Sequence, residues 1–180
     1  MSLILASSSP FRKAILDKLG LDFEVVAPEI NEDRRVNESP IDLVTRLSKE
    51  KAVAVAKSKT GLIIASDQVA TLDTGYKAND SILTKPGSHE NAFLQLKKSS
   101  GKTVNFLTGL VLMNTKNLNT QVHVEHFKVL FKTLSDNQIL KYLSKEDVLN
   151  CAGSFKSEGL GIALFTEMEG NDPNSLIGLP

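Results

Sequence analysis

The sequence predicts an α/β fold, one mixed and twisted β-sheet with helices packed on it, and three observations carry that prediction. Short apolar runs alternate with capped helical segments early in the chain, and longer extended segments succeed one another later. No internal repeat, low-complexity tract or Gly/Ser/Pro-rich linker divides the 180 residues, so 1–180 reads as one domain. A composition of 41% hydrophobic and 23% charged residues supplies a core and excludes disorder, collagen and coiled coil.

Each element has a local reason. Leu3-Ile4-Leu5-Ala6 is a buried-type strand that ends in Ser7-Ser8-Ser9-Pro10, where Ser9 can cap a helix and Pro10 can take its first position. That helix carries Phe11, Ile15 and Leu19 on one face and stops at Gly20. Ser39-Pro40-Ile41-Asp42 opens a second helix running towards residue 58. Leu62-Ile63-Ile64-Ala65 is another buried strand, and Ser66-Asp67-Gln68 should emerge at or near its end. Residues 71–85 read as a polar loop or hairpin, 88–98 as a third helix ending near Gly101, and 104–113 as a strand. In the extended stretch 121–134, Val122 and Val124 share one phase while Phe127, Val129 and Phe131 share the other, which predicts a bulge. Ser135-x-x-Gln138 caps a fourth helix with Ile139, Leu140 and Leu143 inward. Residues 160–165 read as a last strand, and Asp172-Pro173 begins a helix that the chain end cuts short.

Charge and cysteine usage bound the function. The 21 Lys and Arg balance the 21 Asp and Glu, which argues against broad binding of nucleic acid or of an anionic membrane and leaves a small, locally bound anion. The single cysteine, Cys151, forbids an internal disulfide and a multi-cysteine metal site, and it fits a reducing compartment. There is no basic region before the short N-terminal apolar run, and no apolar stretch approaches the ~20 residues of a spanning helix, so the expected location is cytoplasmic. The N-x-S/T triplets at Asn37 and Asn79 would matter only in a secreted chain and are read as chance.

Six charged positions stand out. Arg12-Lys13 places cations in the opening turn of a helix, against a macrodipole term of ~0.3–1 kcal/mol. A phosphate seated on the backbone N–H groups, the serine hydroxyls and Arg12 would offset that cost; the alternative is a solvated first turn. Lys51 falls in register with Val44, Leu47, Ala54 and Val55, so it either snorkels from the apolar stripe or is a buried functional cation. Asp67, following an apolar strand, is either a turn residue or a catalytic or metal-binding carboxylate at the sheet edge. Glu32 in Asn31-Glu32-Asp33 and Lys85 before Pro86 each read alone as surface charge. Other motifs fail: Gly101-Lys102-Thr103 follows a helix and has Leu96 where a P-loop needs Gly. His123 and His126 fall on opposite faces of a strand and read as structural, and Cys151 as a buried thiol.

Together these segments resemble the Maf family of nucleoside triphosphate pyrophosphatases. The matching residues are Leu5-Ala6-Ser7-Ser8-Ser9-Pro10-Phe11-Arg12, Glu32, Glu50-Lys51-Ala52, Ser66-Asp67-Gln68-Val69, Lys85-Pro86 and 151–159, read Cys-Ala-Gly-Ser-Phe-Lys-Ser-Glu-Gly. The Ser-Asp-Gln-Val and Ser-Phe-Lys-Ser-Glu-Gly versions look like the branch acting on 7-methyl-GTP, whereas other branches are similar to Thr and Gln at positions 68 and 158. Position 11 departs from that branch's Trp, and position 84 from a frequent Gly.

The resemblance implies a mixed sheet with a nucleotide cleft and hydrolysis of the α-β phosphoanhydride with a divalent cation, Mg²⁺ or Mn²⁺. It implies Asp67 as proton acceptor, Glu32 and Asp67 on the metal, and Lys51, Lys85, Arg12, Ser7 and Ser9 around the triphosphate. Phe11, Gln68 and Glu158 would select the base: an aromatic face favours a cationic ring, and a carboxylate accepts from N1–H and the exocyclic amine of guanine. The expected partner is a small-molecule nucleoside triphosphate, with no nucleic acid or membrane and with a homodimer left open. A nucleotide-binding regulator of septum formation, or the same hydrolysis on dTTP or UTP, is the alternative.

Overall fold

The computed structural model describes residues 2–180. Strands β1 (Leu3–Ala6), β2 (Glu24–Val26), β3 (Leu62–Thr71), β4 (Thr103–Asn114), β5 (Asn119–Phe131) and β6 (Phe165–Glu169) form one sheet in the order β2-β1-β3-β4-β5-β6. The pairs β1–β2 and β1–β3 are parallel, and the rest are antiparallel. The helices are α1 (Pro10–Asp17), α2 (Pro40–Ala56), α3 (His89–Ser99), α4 (Asp136–Leu143) and the single turn α5 (Asn174–Ile177). Serine caps start four of them: the hydroxyls of Ser9, Ser39, Ser88 and Ser135 each accept from the backbone N–H three residues on. Among the described residues no helix is long and apolar enough to cross a membrane.

Alternation along the strands gives the sheet two covered faces. Helix α2 packs on one, where Ala52 and Val55 meet Ile4, Ala6, Ile63, Ala65 and Val111, and Val44 and Leu47 meet Val69 and Leu107. Its close approach to β4 depends on Gly109, where a side-chain methyl would collide with the Ser48 hydroxyl and lie 3.0 Å from the Val44 carbonyl oxygen. The opposite face holds the larger cluster of Phe106, Phe127, Val129 and Phe131 beneath Leu96 of α3 and Ile139 of α4. Beside it, Leu16 of α1 and Leu179 close over Leu5.

The structure corrects several expectations. Strand β3 does not stop at Ala65 but continues through Ser66, Asp67 and Gln68 to Thr71, because β4 pairs with it over its whole length. No bulge interrupts the β4–β5 register from Thr103↔Leu130 to Asn114↔Asn119, and the irregularity in this stretch is against β6, where the register shifts between Leu130 and Phe131. The change of phase has another cause: Val124 packs towards α2, while Phe127, Val129 and Phe131 serve the opposite face. Residues 160–165 are not a strand; Leu160–Leu164 form a 3₁₀ turn, and β6 begins at Phe165. In α1 the buried residue is Leu16, and Leu19 lies beyond the helix and exposed. The helix begun after Asp172-Pro173 is the single turn Asn174–Ile177, with Gly178 at φ 120° following it. Short β2 carries no apolar run and was not expected.

Candidate active site

The site forms where β1 stops and β3 does not. Strand β1 pairs with β3 only from Leu62 to Ala65, so the β3 edge beyond Ala65 is left open until Leu83 bridges to Ala70. The chain leaving β1 turns through Ser7-Ser8-Ser9 into α1 beside that edge, and a cleft of about 720 Å³ opens there. It is lined by Ser7, Ser9, Phe11, Arg12, Glu32, Lys51, Asp67, Gln68, Lys85 and Glu158, all ten positions singled out from the sequence.

Asp67 sits in mid-strand with Ala65 and Val69 on the face that α2 covers. Lys51 of α2 is buried there, and its ammonium bonds Asp67 Oδ1 at 2.5 Å and Glu32 Oε1 at 2.8 Å. The nitrogen therefore does not snorkel to solvent. Burial pushes the Glu32 carboxyl up, but the Lys51 hydrogen bond and the charges of Lys51, Lys85 and Arg12 outweigh it and hold the group below its ordinary value. Asp67 Oδ2 has no hydrogen-bond partner among the described residues.

Two arginines hold the Glu32 loop. Arg46 of α2 bonds both Glu38 oxygens, at 2.6 and 2.9 Å, as well as Glu50 and the Asp33 carbonyl. Arg34 donates to the carbonyls of Glu38, Ala78 and Asp80, which fastens this loop to the segment leading to Lys85. Lys85 itself is exposed and lines the cleft.

At the other wall, Ser7 Oγ accepts from Ser9 N–H at 3.1 Å, and Ser9 caps α1. Arg12 Nε donates to the Gly178 carbonyl at 2.7 Å, which leaves its terminal nitrogens for the cleft. Burial lowers the Arg12 pKa, and the Asp67 and Glu32 charges oppose that shift. Ser66 Oγ shares the Gly178 carbonyl at 2.9 Å.

Gln68 lies on the face opposite Asp67 and uses its amide nitrogen within the protein, on the carbonyls of Ser175 (2.7 Å) and Leu176 (3.2 Å) and on Thr108 Oγ1. It holds α5 against the site, and Leu176 and Ile177 line the cleft as a result. Nothing in the local sequence pattern signals that role, which needs the end of the chain to return to β3.

The remaining wall is the segment 147–158, where Asp147 and Asn150 join Cys151, Lys156 and Glu158 in the lining. Sequence reasoning missed Asp147 and Asn150, which stand in an irregular loop without periodicity. The Lys156 ammonium lies over the Phe11 ring, 5.8 Å from its centroid, so that aromatic face already carries a cation. Burial pushes the half-buried Cys151 thiol up to about 11, which keeps it protonated and unreactive. His126 bonds Asn105 and His123 bonds Glu125, both away from the cleft.

Comparison with known proteins agrees with this architecture. A 7-methyl-GTP pyrophosphatase of Alcanivorax borkumensis is 53% identical over 180 residues, covering 99% of this chain and 88% of that protein. One of the same name from Pseudoalteromonas atlantica is also 53% identical, covering 100% and 90%. In fold, the Ham1 protein of Staphylococcus aureus matches with a TM-score of 0.52 at 13% identity, covering 89% of this chain and 90% of that one. The family model described as Maf-like protein matches residues 2–180, and the chain belongs to the Maf family.

Proposed function

We propose that this protein hydrolyses 7-methyl-GTP to 7-methyl-GMP and pyrophosphate, removing a modified nucleotide from the cytoplasmic pool. The observation that carries the reading is the Glu32–Lys51–Asp67 cluster facing Arg12 and Lys85 across one cleft, in a chain 53% identical to proteins named for that reaction. A pure binder needs cations for the phosphates; it has no need of a buried carboxylate with one oxygen unpaired.

Each residue then has a task. Lys51 fixes Asp67 through Oδ1, and Oδ2 accepts the proton of a water molecule. The water oxygen bonds to the α-phosphorus, the bridging α-β P–O bond breaks, and its electron pair leaves with pyrophosphate. Arg12, oriented by Gly178, and Lys85 neutralise the triphosphate oxygens, and the Ser7–Ser9 turn offers hydroxyl and N–H donors. Glu158 accepts from N1–H and the exocyclic amine of guanine, and its charge favours a ring made cationic at N7.

Glu32 and Asp67 are the residues that would hold Mg²⁺ or Mn²⁺. The Lys51 ammonium engages one oxygen of each carboxylate, and the other oxygen of each is left beside the cleft, a donor set that suits a hard cation completed by phosphate oxygens and water. Bound there, the ion would offset phosphate charge and polarise the scissile bond.

The test is pyrophosphate release from 7-methyl-GTP by the wild type and by Asp67→Asn. Turnover should fall roughly 10²–10⁴-fold in the variant, with its circular dichroism unchanged. Comparable turnover in the variant would remove Asp67 from this role, and no release by the wild type would remove the substrate.

A further inference from the structure

Lys156 has no task in the hydrolysis outlined above, yet the fold builds it into the cleft. Its backbone is fixed from both sides: the N–H donates to the Tyr142 hydroxyl at 3.1 Å, and the carbonyl accepts from Gly159 N–H at 3.3 Å and Gly161 N–H at 3.0 Å. A methyl on Gly161 would run into that carbonyl, so the turn tolerates little change there. The side chain that emerges is 21% exposed and lies over Phe11, and its nearest carboxylate oxygen, on Glu146, is 4.0 Å away. The ammonium thus keeps three donors with no hydrogen-bond partner among the described residues, in a pocket wall shared with Glu158.

We propose that Lys156 reads the 6-oxo group of the guanine ring and, with Glu158, forms a donor–acceptor pair that selects guanine. The inference rests on the 7-methyl-GTP reading and deepens it. The Watson–Crick edge of guanine presents an acceptor at O6 beside donors at N1 and N2, so it needs a donor next to an acceptor. Lys156 and Glu158, two residues apart in one tight turn, supply that order. Adenine presents the reverse, an amine at C6 and a bare N1, and sets donor against donor at Lys156 and acceptor against acceptor at Glu158. Uracil matches at O4 and N3–H but brings a carbonyl where guanine has its amine, towards the carboxylate. The ammonium's place over Phe11 keeps it beside a base stacked near that ring.

The experiment compares kcat/KM for GTP and 6-thio-GTP, which differ only at the atom in question, in the wild type, Lys156→Met and Lys156→Arg. Sulfur is a weak acceptor, so the wild type should prefer GTP by roughly tenfold to a hundredfold. In Lys156→Met that ratio should fall to near one, and Lys156→Arg, which still donates, should retain most of it. A Lys156→Met ratio equal to that of the wild type, or equal losses on both nucleotides, would overturn the proposal and leave Lys156 as packing for Phe11. Assaying 7-methyl-GTP alongside separates the two claims. A wild type that ignores the methylated nucleotide but shows the 6-thio effect loses the substrate reading and keeps this one.

Discussion

Gly109→Ala should damage catalysis from outside the cleft. Gly109 pairs directly with Asp67 across β3 and β4, and α2 crosses above it so closely that a methyl meets the Ser48 hydroxyl, Ser48 Cβ at 3.3 Å and the Val44 carbonyl at 3.0 Å. Ser48 is fully buried and bonds the Val44 carbonyl at 2.8 Å, so neither atom has room to yield. The helix must rise by some tenths of an ångström at that turn, and Lys51 is the residue one turn further on. Overpacking of this kind costs about 1–3 kcal/mol, which for a chain of this size lowers Tm by roughly 2–12 °C. The Lys51–Asp67 bond is 2.5 Å long, and misplacement of a catalytic group by about 1 Å can cost ~10²-fold. The expected result is therefore a folded variant with kcat down roughly tenfold to a hundredfold. Adding Ser48→Ala removes the nearest obstructing atom and should restore part of both stability and rate, giving a non-additive pair. Pyrophosphate release and thermal unfolding on the four proteins decide the matter. A variant that loses stability but keeps the wild-type rate would show that the height of α2 does not set the geometry at Asp67.

Three further outcomes are expected. Glu158→Gln replaces one acceptor with a donor and removes a charge, so the ratio of kcat/KM for 7-methyl-GTP over GTP should collapse towards one; an unchanged ratio would exclude Glu158 from base selection. Excess chelator should abolish turnover, and Mg²⁺ or Mn²⁺ should restore it, as measured by pyrophosphate release; full activity in chelator would remove the metal role of Glu32 and Asp67. The Arg46 hydrogen bond, opposed by burial, holds the Glu38 carboxyl at about 2 against an ordinary 4.5. A depressed carboxylate contributes stability that is present above the unfolded value and lost as pH falls from about 4.5 towards 2. In urea titrations the gap between wild type and Glu38→Gln should be widest at neutral pH and close through that window; a gap independent of pH would refute the ion-pair account.

Much of the site was legible because its residues sit beside local punctuation. Ser9-Pro10 and Ser39-Pro40 fix two helix starts, and with them the places of Arg12 and Lys51. Lys51 stood out because a cation in an apolar stripe needs a partner, and the partner proved to be Asp67. What was lost came from reading each strand alone. Ser66-Asp67-Gln68 breaks an apolar run, yet β4 carries the strand through it, and period-two alternation then sends Asp67 to α2 and Gln68 to α5. The change of phase in β5 likewise needs no bulge against β4 once both faces are known to be covered at different heights, and the register shift in that stretch lies against β6, between Leu130 and Phe131. The Gln68, Ser66 and Arg12 contacts to residues 175–178 span more than a hundred positions, and no window of sequence contains both ends.

The carbonyl of Gly178 holds Arg12 and Ser66 together across separations of 166 and 112 residues. A tie of that range cannot form inside any one stretch of chain: it closes only after β1, β3 and the Ser175–Gly178 turn have all met. The orientation of the Arg12 guanidinium is therefore a gauge of completed tertiary assembly, and a spectroscopic label near Gly178 would register the last docking event of folding and not the formation of the sheet.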